Sequence, residues 1–228
     1  MKNLLFSDID SFVRSKLDEL SDDSGFVSSD NIDIVRIIRE SAVNVIRNVH
    51  LMAPNVLLDG VTYGSQNITL YNGKDNMYWF EVPDNFMRLV SLKTNDWDRP
   101  VQTLISEDSV EYRRQRNKYL RGTPRNPVAA IRHGVGNKRI IELYTITPDV
   151  TARIYDFSFV PEITSDPTGI GICPKLRQAC LYSITAEVMR CLNETQRAQM
   201  YDALAAQSLN PTSDAERTYP LNGEKTIE

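Results

Sequence analysis

The chain has 228 residues, 41% of them apolar and 25% charged, with a formal net charge of −4. That length buries a core without disulfides or metals, and the composition is that of an ordinary soluble protein. The charge argues against a chain-wide polyanion binder. The longest apolar runs fall far short of the roughly 20 residues that span a bilayer. The opening Met1-Lys2-Asn3-Leu4-Leu5-Phe6 turns acidic at Asp8 and Asp10, too early for a signal peptide. The chain is therefore expected to stay in the cytoplasm where it is made, with no membrane partner.

A first short helix is expected from Ser7 or Asp8, either of which suits a cap, through Ile9, Phe12, Val13, Leu17 and Leu20. Ser21-Asp22-Asp23-Ser24-Gly25 breaks it. A stronger helix follows, capped by Ser29 or Asp30, with Asp33 in its first turn. Its apolar face is Ile34, Ile37, Ile38, Ala42, Val45, Ile46 and Val49, and Pro54 stops it.

From Leu57 the texture changes to β-branched and aromatic segments. Ile68 to Tyr71 and Met77 to Val82 read as strands, with a turn signal at Asn72-Gly73. Phe86 to Leu92 is another apolar stretch, followed by a turn at Asn95 to Asp98. Ser106 to Leu120 is charged and reads as helical or irregular. Val128 to Arg132, Arg139 to Tyr144 and Thr151 to Val160 are further strand candidates. After Pro161 the chain is expected to be helical again. Pro174 suits a first helical position, and Leu176, Cys180, Ile184, Val188 and Cys191 recur at helical spacing. A last helix is expected from Glu194 to about Leu209, and Asn210-Pro211 ends it. The rest is polar and aperiodic, expected to be extended or disordered when the protein is alone.

The expected class is α+β. Residues 1–56 and 161–209 form one helical body from the two chain ends. Residues 57–160 form an inserted antiparallel β module, and residues 210–228 form an extended tail.

A search for chemistry returns little. Cys173, Cys180 and Cys191 are too sparse for a disulfide framework, and spacings of seven and eleven do not suit zinc. On a helix both spacings return to nearly one angle, so the three are expected on one buried stripe. His50 reads as a helix-end packing residue and His133 as a solvated loop residue. Gly73-Lys74-Asp75 lacks the rest of a Walker loop. Gly169-Ile170-Gly171 lacks the third glycine of a dinucleotide loop. Asp8-Asp10 and Asp22-Asp23 lack calcium-loop spacing. No catalytic group, metal or cofactor is expected, and the protein is read as a non-enzyme.

One charge pattern stands out. Between Glu111 and Arg139 lie nine basic residues against one acidic, whereas the first 33 residues hold eight acidic against three basic. Arg113, Arg114, Arg116, Arg121 and Arg125 are candidate partner contacts, as are Asp8, Asp10, Asp22 and Asp23. The guanidinium groups suit either phosphates or carboxylates on a neighbouring copy. Basic flank meeting acidic flank is a heterologous contact, which closes into rings.

The run from Tyr78 to Ala130 adds a resemblance. It contains Pro83-Asp84-Asn85-Phe86, then Trp97-Asp98-Arg99-Pro100-Val101, then Gly122-Thr123-Pro124-Arg125-Asn126-Pro127-Val128-Ala129. These motifs resemble the β module of head-to-tail adaptor proteins of tailed bacteriophages, especially the ring proteins of short-tailed, crAss-like phages. The resemblance implies a structural virion protein at the head–tail junction, forming a ring of about twelve copies beneath the portal. It implies the portal protein, the next tail or ring component and further copies of the chain as partners. Genomic DNA would pass through the ring without tight binding. The tail would dock on the portal or a neighbour, with Pro211, Tyr219, Pro220, Leu221 and Ile227 as candidate contacts. The alternative is a nucleic-acid-binding or DNA-packaging accessory protein using the basic 113–139 block.

Overall fold

The computed structural model describes residues 1–18, 31–64, 68–73, 77–117, 119–134, 136, 138–144 and 154–210. In chain order the elements begin β1 (Lys2–Leu5), α1 (Phe6–Asp18), α2 (Asn31–Met52), β2 (Val61–Thr62), β3 (Tyr71–Asn72), β4 (Met77–Glu81), β5 (Phe86–Thr94) and β6 (Ile105–Ser106). They continue α3 (Val110–Gln115), β7 (Ala129–His133), β8 (Arg139–Tyr144), β9 (Ile154–Pro161), β10 (Gly169–Ile172), α4 (Arg177–Cys191) and α5 (Thr195–Ser208). The class is α+β, in two units: Met1–Leu58 together with the chain from Ile163 on, and Asp59–Glu162. The chain ends thus build one unit, and the middle of the chain is inserted as the other.

In the helical unit α4 is central and packs against α1, α2 and α5. Its sequence explains the position. Ala179, Cys180, Leu181, Ile184, Ala186, Val188 and Met189 are buried on more than one face. Thr185, buried among them, satisfies its hydroxyl by donating to the Leu181 carbonyl at 2.9 Å. The surrounding helices are ordinary amphipaths: α1 buries Ile9 and Val13, and α2 buries Ile34, Ile38, Ala42, Ile46 and Val49. Helix α4 ends in a Schellman turn. Glu194 N–H donates to the Met189 carbonyl and Asn193 N–H to the Arg190 carbonyl, with Asn193 in the left-handed region at φ 61°.

Three local expectations change here. The chain between Pro161 and α4 is not helical throughout: β10 pairs there with β1 in an antiparallel ribbon, Leu4 opposite Ile170. This strand pair lets α1 start at Phe6, whose N–H donates to the Thr168 carbonyl at 3.0 Å. Ser7 and Asp8 accordingly lie inside the first turn rather than capping it. The cysteines do not share one stripe either. Cys173 and Cys180 are buried, but Cys173 precedes the helix and Cys191 is exposed at its far end.

The β unit holds a three-stranded sheet in the order β2-β9-β5 and a five-stranded sheet in the order β3-β4-β8-β7-β6. Period-two alternation supplies the core residues of β8 and β9, whereas register shifts in β5 between Phe86 and Arg88 and between Leu89 and Ser91 bury every third residue there. Phe86, Leu89 and Leu92 of β5 and Phe157 and Phe159 of β9 pack with Phe80, Ile141, Leu143 and Ala129. The aromatic rings contact one another, Phe80 meeting Phe157 edge-on at 5.3 Å. The module is not wholly antiparallel, because β6 joins β7 in parallel. Of the Ile68 to Tyr71 segment only Tyr71 enters a strand, and the charged 106–120 stretch is helical only in α3.

Hydrogen bonds close the turns of the 78–130 run. Phe86 N–H donates to the Pro83 carbonyl at 2.9 Å and opens β5. Trp97 is buried, and its indole N–H donates to the Tyr144 carbonyl at 3.2 Å. Val101 returns to pair with Leu92 through two backbone hydrogen bonds of 2.8 and 2.9 Å.

Candidate functional site

Strand β8 reads Ile141-Glu142-Leu143-Tyr144. The alternation that sends Ile141 and Leu143 to the core sends Glu142 and Tyr144 to the opposite face of the five-stranded sheet. Register adds to that face. Trp79 and Ala130 lie opposite Glu142, and Met77 lies opposite Tyr144. Helix α3 contributes Tyr112, which packs with Ala130 and Tyr144. The helix starts there because the Ser109 hydroxyl accepts from Tyr112 N–H at 3.1 Å.

Glu142 is only 3% exposed. Its carboxylate accepts from the Tyr112 hydroxyl at 3.0 Å, from the Tyr144 hydroxyl at 2.7 Å and from the Arg132 guanidinium. Three donors offset the desolvation that a buried carboxylate otherwise suffers. Burial, then the charge and hydrogen bond of Glu142, raise the Tyr112 pKa. Burial, then the Glu142 hydrogen bond, raise that of Tyr144. Both tyrosines therefore stay neutral donors.

A cavity of about 430 Å³ opens beside this network, lined by Arg116, Arg121 and Arg132 with Tyr112, Tyr144 and Glu142. Its wall is held by Gln115. That amide donates to the Glu111 carbonyl at 3.2 Å and accepts from Gly122 N–H at 2.8 Å, fixing the loop between them. The Arg116 guanidinium lies 5.9 Å from the centre of the Tyr112 ring.

The basic block thus divides. Arg116, Arg121 and Arg132 line the cavity. Lys138 pairs with Glu81 at 2.6 Å, and Arg139 donates to the Asp84 carbonyl at 3.2 Å. Arg113, Arg114 and Arg125 are exposed. Arg125 stands on a tight turn closed by Thr123 and Asn126. Of the acidic candidates, Asp8 pairs with Arg177 at 3.2 Å and Asp10 with Arg14 at 2.9 Å, both inside the helical unit. Asp22, Asp23 and the tail contacts Pro211, Tyr219, Pro220, Leu221 and Ile227 lie outside the described residues.

His50 is buried at the end of α2, where it packs between Ile46 and Cys173. His133 ends β7, exposed, 3.2 Å from the Glu107 carboxylate. Among the described residues no group of three or more His, Cys, Asp and Glu is placed to hold a metal ion. No described helix is long and apolar enough to cross a membrane.

The cavity itself was missed in the sequence reading, which took the arginines as one surface. The available signal was Glu142, a lone acid in the otherwise apolar Ile140–Leu143 run. No protein-family model matches the chain, and no curated protein matches it either.

Proposed function

We propose that the protein is a non-catalytic structural component of a virus particle, a head-to-tail adaptor of the tailed-phage kind. Copies form a ring of about twelve beneath the portal, join capsid to tail and let DNA pass. The observation that carries this reading is the insertion of a two-sheet β unit into a helical unit made from both chain ends. The three motifs of the 78–130 run form the turns that build the inserted unit, at Pro83 to Phe86, Trp97 to Val101 and Gly122 to Ala129. The exposed Arg113, Arg114 and Arg125 are suited to carboxylates on a neighbouring copy, where a guanidinium fork gives orientation as well as attraction. Ring closure multiplies such contacts, so each one need only be modest.

The tail contacts test it. Removing Thr212 to Glu228 is expected to leave the far-ultraviolet circular dichroism and melting temperature unchanged while abolishing attachment to portal-bearing capsids. Normal attachment of the truncated chain contradicts the reading.

A second reading is favoured by the same exposed arginines, which also suit phosphates. It makes the chain a DNA-packaging accessory protein. Under it, Arg113→Ala with Arg114→Ala weakens binding to duplex DNA and flattens its dependence on salt. Under the adaptor reading, binding to DNA at physiological salt is no tighter than the non-specific range of about 10⁻⁴ to 10⁻⁶ M.

A further inference from the structure

The arrangement of charge around Glu142 goes beyond a docking surface. Three guanidinium groups line one cavity, and one carboxylate accompanies them among the described lining residues. That carboxylate already accepts from Tyr112, Tyr144 and Arg132. It is thereby engaged by groups of its own fold, Arg132 among them, and the described lining sets three guanidinium groups against that one carboxylate. Cations gathered around one concave space repel one another. An anion entering that space relieves the repulsion and meets donors that are already in place.

Two features make the cavity pre-organised. Gln115 ties α3 to Gly122, so the loop that carries Arg121 is anchored from both sides. The Arg116 guanidinium lies 5.9 Å from the centre of the Tyr112 ring, within cation–π range. The volume of about 430 Å³ is well above that of a bare ion and within the range of small-ligand sites. Tyr112 and Tyr144 add aromatic surface to the guanidinium donors.

We propose that this cavity binds a phosphate group, with Arg116 and Arg132 as the donors and the tyrosine rings as a wall for whatever the phosphate carries. Guanidinium forks match phosphate geometry in a way that a lone ammonium does not. The site is distinct from the exposed Arg113, Arg114 and Arg125, and it stands whether or not the adaptor reading does.

The test is calorimetric titration of the full chain with inorganic phosphate and with a nucleoside monophosphate, each against sodium chloride at matched ionic strength. Saturable binding of one phosphate per chain is expected, weakened about tenfold by Arg116→Gln. Arg113→Gln combined with Arg114→Gln is expected to leave it unchanged. Arg116 is exposed, so its variant should keep the wild-type melting temperature in chloride. A nucleoside monophosphate that binds more tightly than phosphate assigns the tyrosine wall to a base. Equal affinities assign the site to the anion alone, and both results uphold it. No saturable heat beyond chloride overturns the proposal. Equal weakening by the Arg113 and Arg114 pair overturns it too, because the effect would then be one of general surface charge.

Discussion

Both ring nitrogens of His50 are in use. Cys173 N–H donates to Nε2 at 3.1 Å, so the proton sits on Nδ1, which donates to the Ile46 carbonyl at 2.8 Å. The ring therefore fixes the end of α2 to the turn that precedes α4. His50→Ala removes buried volume and both hydrogen bonds, and is expected to cost about 2–4 kcal/mol in chemical denaturation. Tyr112→Phe takes one donor from a buried carboxylate, with an expected loss of about 1–3 kcal/mol. The raised pKa values of Tyr112 and Tyr144 carry a sign. Their stabilising contribution is whole below the ordinary tyrosine value of about 10 and is lost as pH rises through the higher folded-state values. Absorbance titration should show that loss only on the alkaline side. The packing role of His50 was legible, since a histidine beside an apolar helical face at a helix end has few other uses. The Glu142 network was not. Its four side chains come from α3, β7 and β8, and only register and helix placement bring them together.

At the scale of elements, the β1–β10 ribbon depends on close backbone approach. A Cβ on Gly169 would stand 2.4 Å from the Leu4 carbonyl oxygen. Gly169→Ala is thus expected to part the ribbon, read as faster amide exchange at its paired residues. The loop before it is held by Asp166, whose carboxylate accepts from the Thr168 hydroxyl at 2.5 Å, Thr168 N–H at 2.7 Å and Gly169 N–H at 2.8 Å. These bonds, the Thr168 hydroxyl foremost, lower its pKa to about 2. The contribution is present above the ordinary carboxylate value of about 4 and is lost as pH falls through about 2. A carboxyl carbon titration by NMR should place the Asp166 midpoint there, and a midpoint near 4 contradicts the geometry. At the end of α4, Asn193→Gly should hold or raise stability, whereas Asn193→Val should lower it, because a β-branched residue resists positive φ. Long amphipathic helices such as α2 were plain in the sequence because 22 residues repeat one period. Strand β10 was not, since its alternation of glycine and isoleucine runs for only four residues and the partner lies at the far end of the chain. The same limit hid the parallel β6, only two residues long.

At the scale of the molecule, the insertion was readable because the texture changes sharply near Leu57 and again near Pro161, and the two units divide at Leu58 and Glu162. What did not follow from sequence is the sorting of the basic block into a cavity and an exposed set. Charge counts register position along the chain, whereas that sorting depends on which side of α3 and its loop each arginine occupies. The exposed set and the inserted β unit both serve the proposal that copies of this chain assemble at a head–tail junction. Quantitative mass spectrometry of purified virus particles tests that claim most directly, by counting this chain against the major capsid protein. The account predicts about twelve copies per particle. Absence, or trace amounts well below one ring, would contradict it.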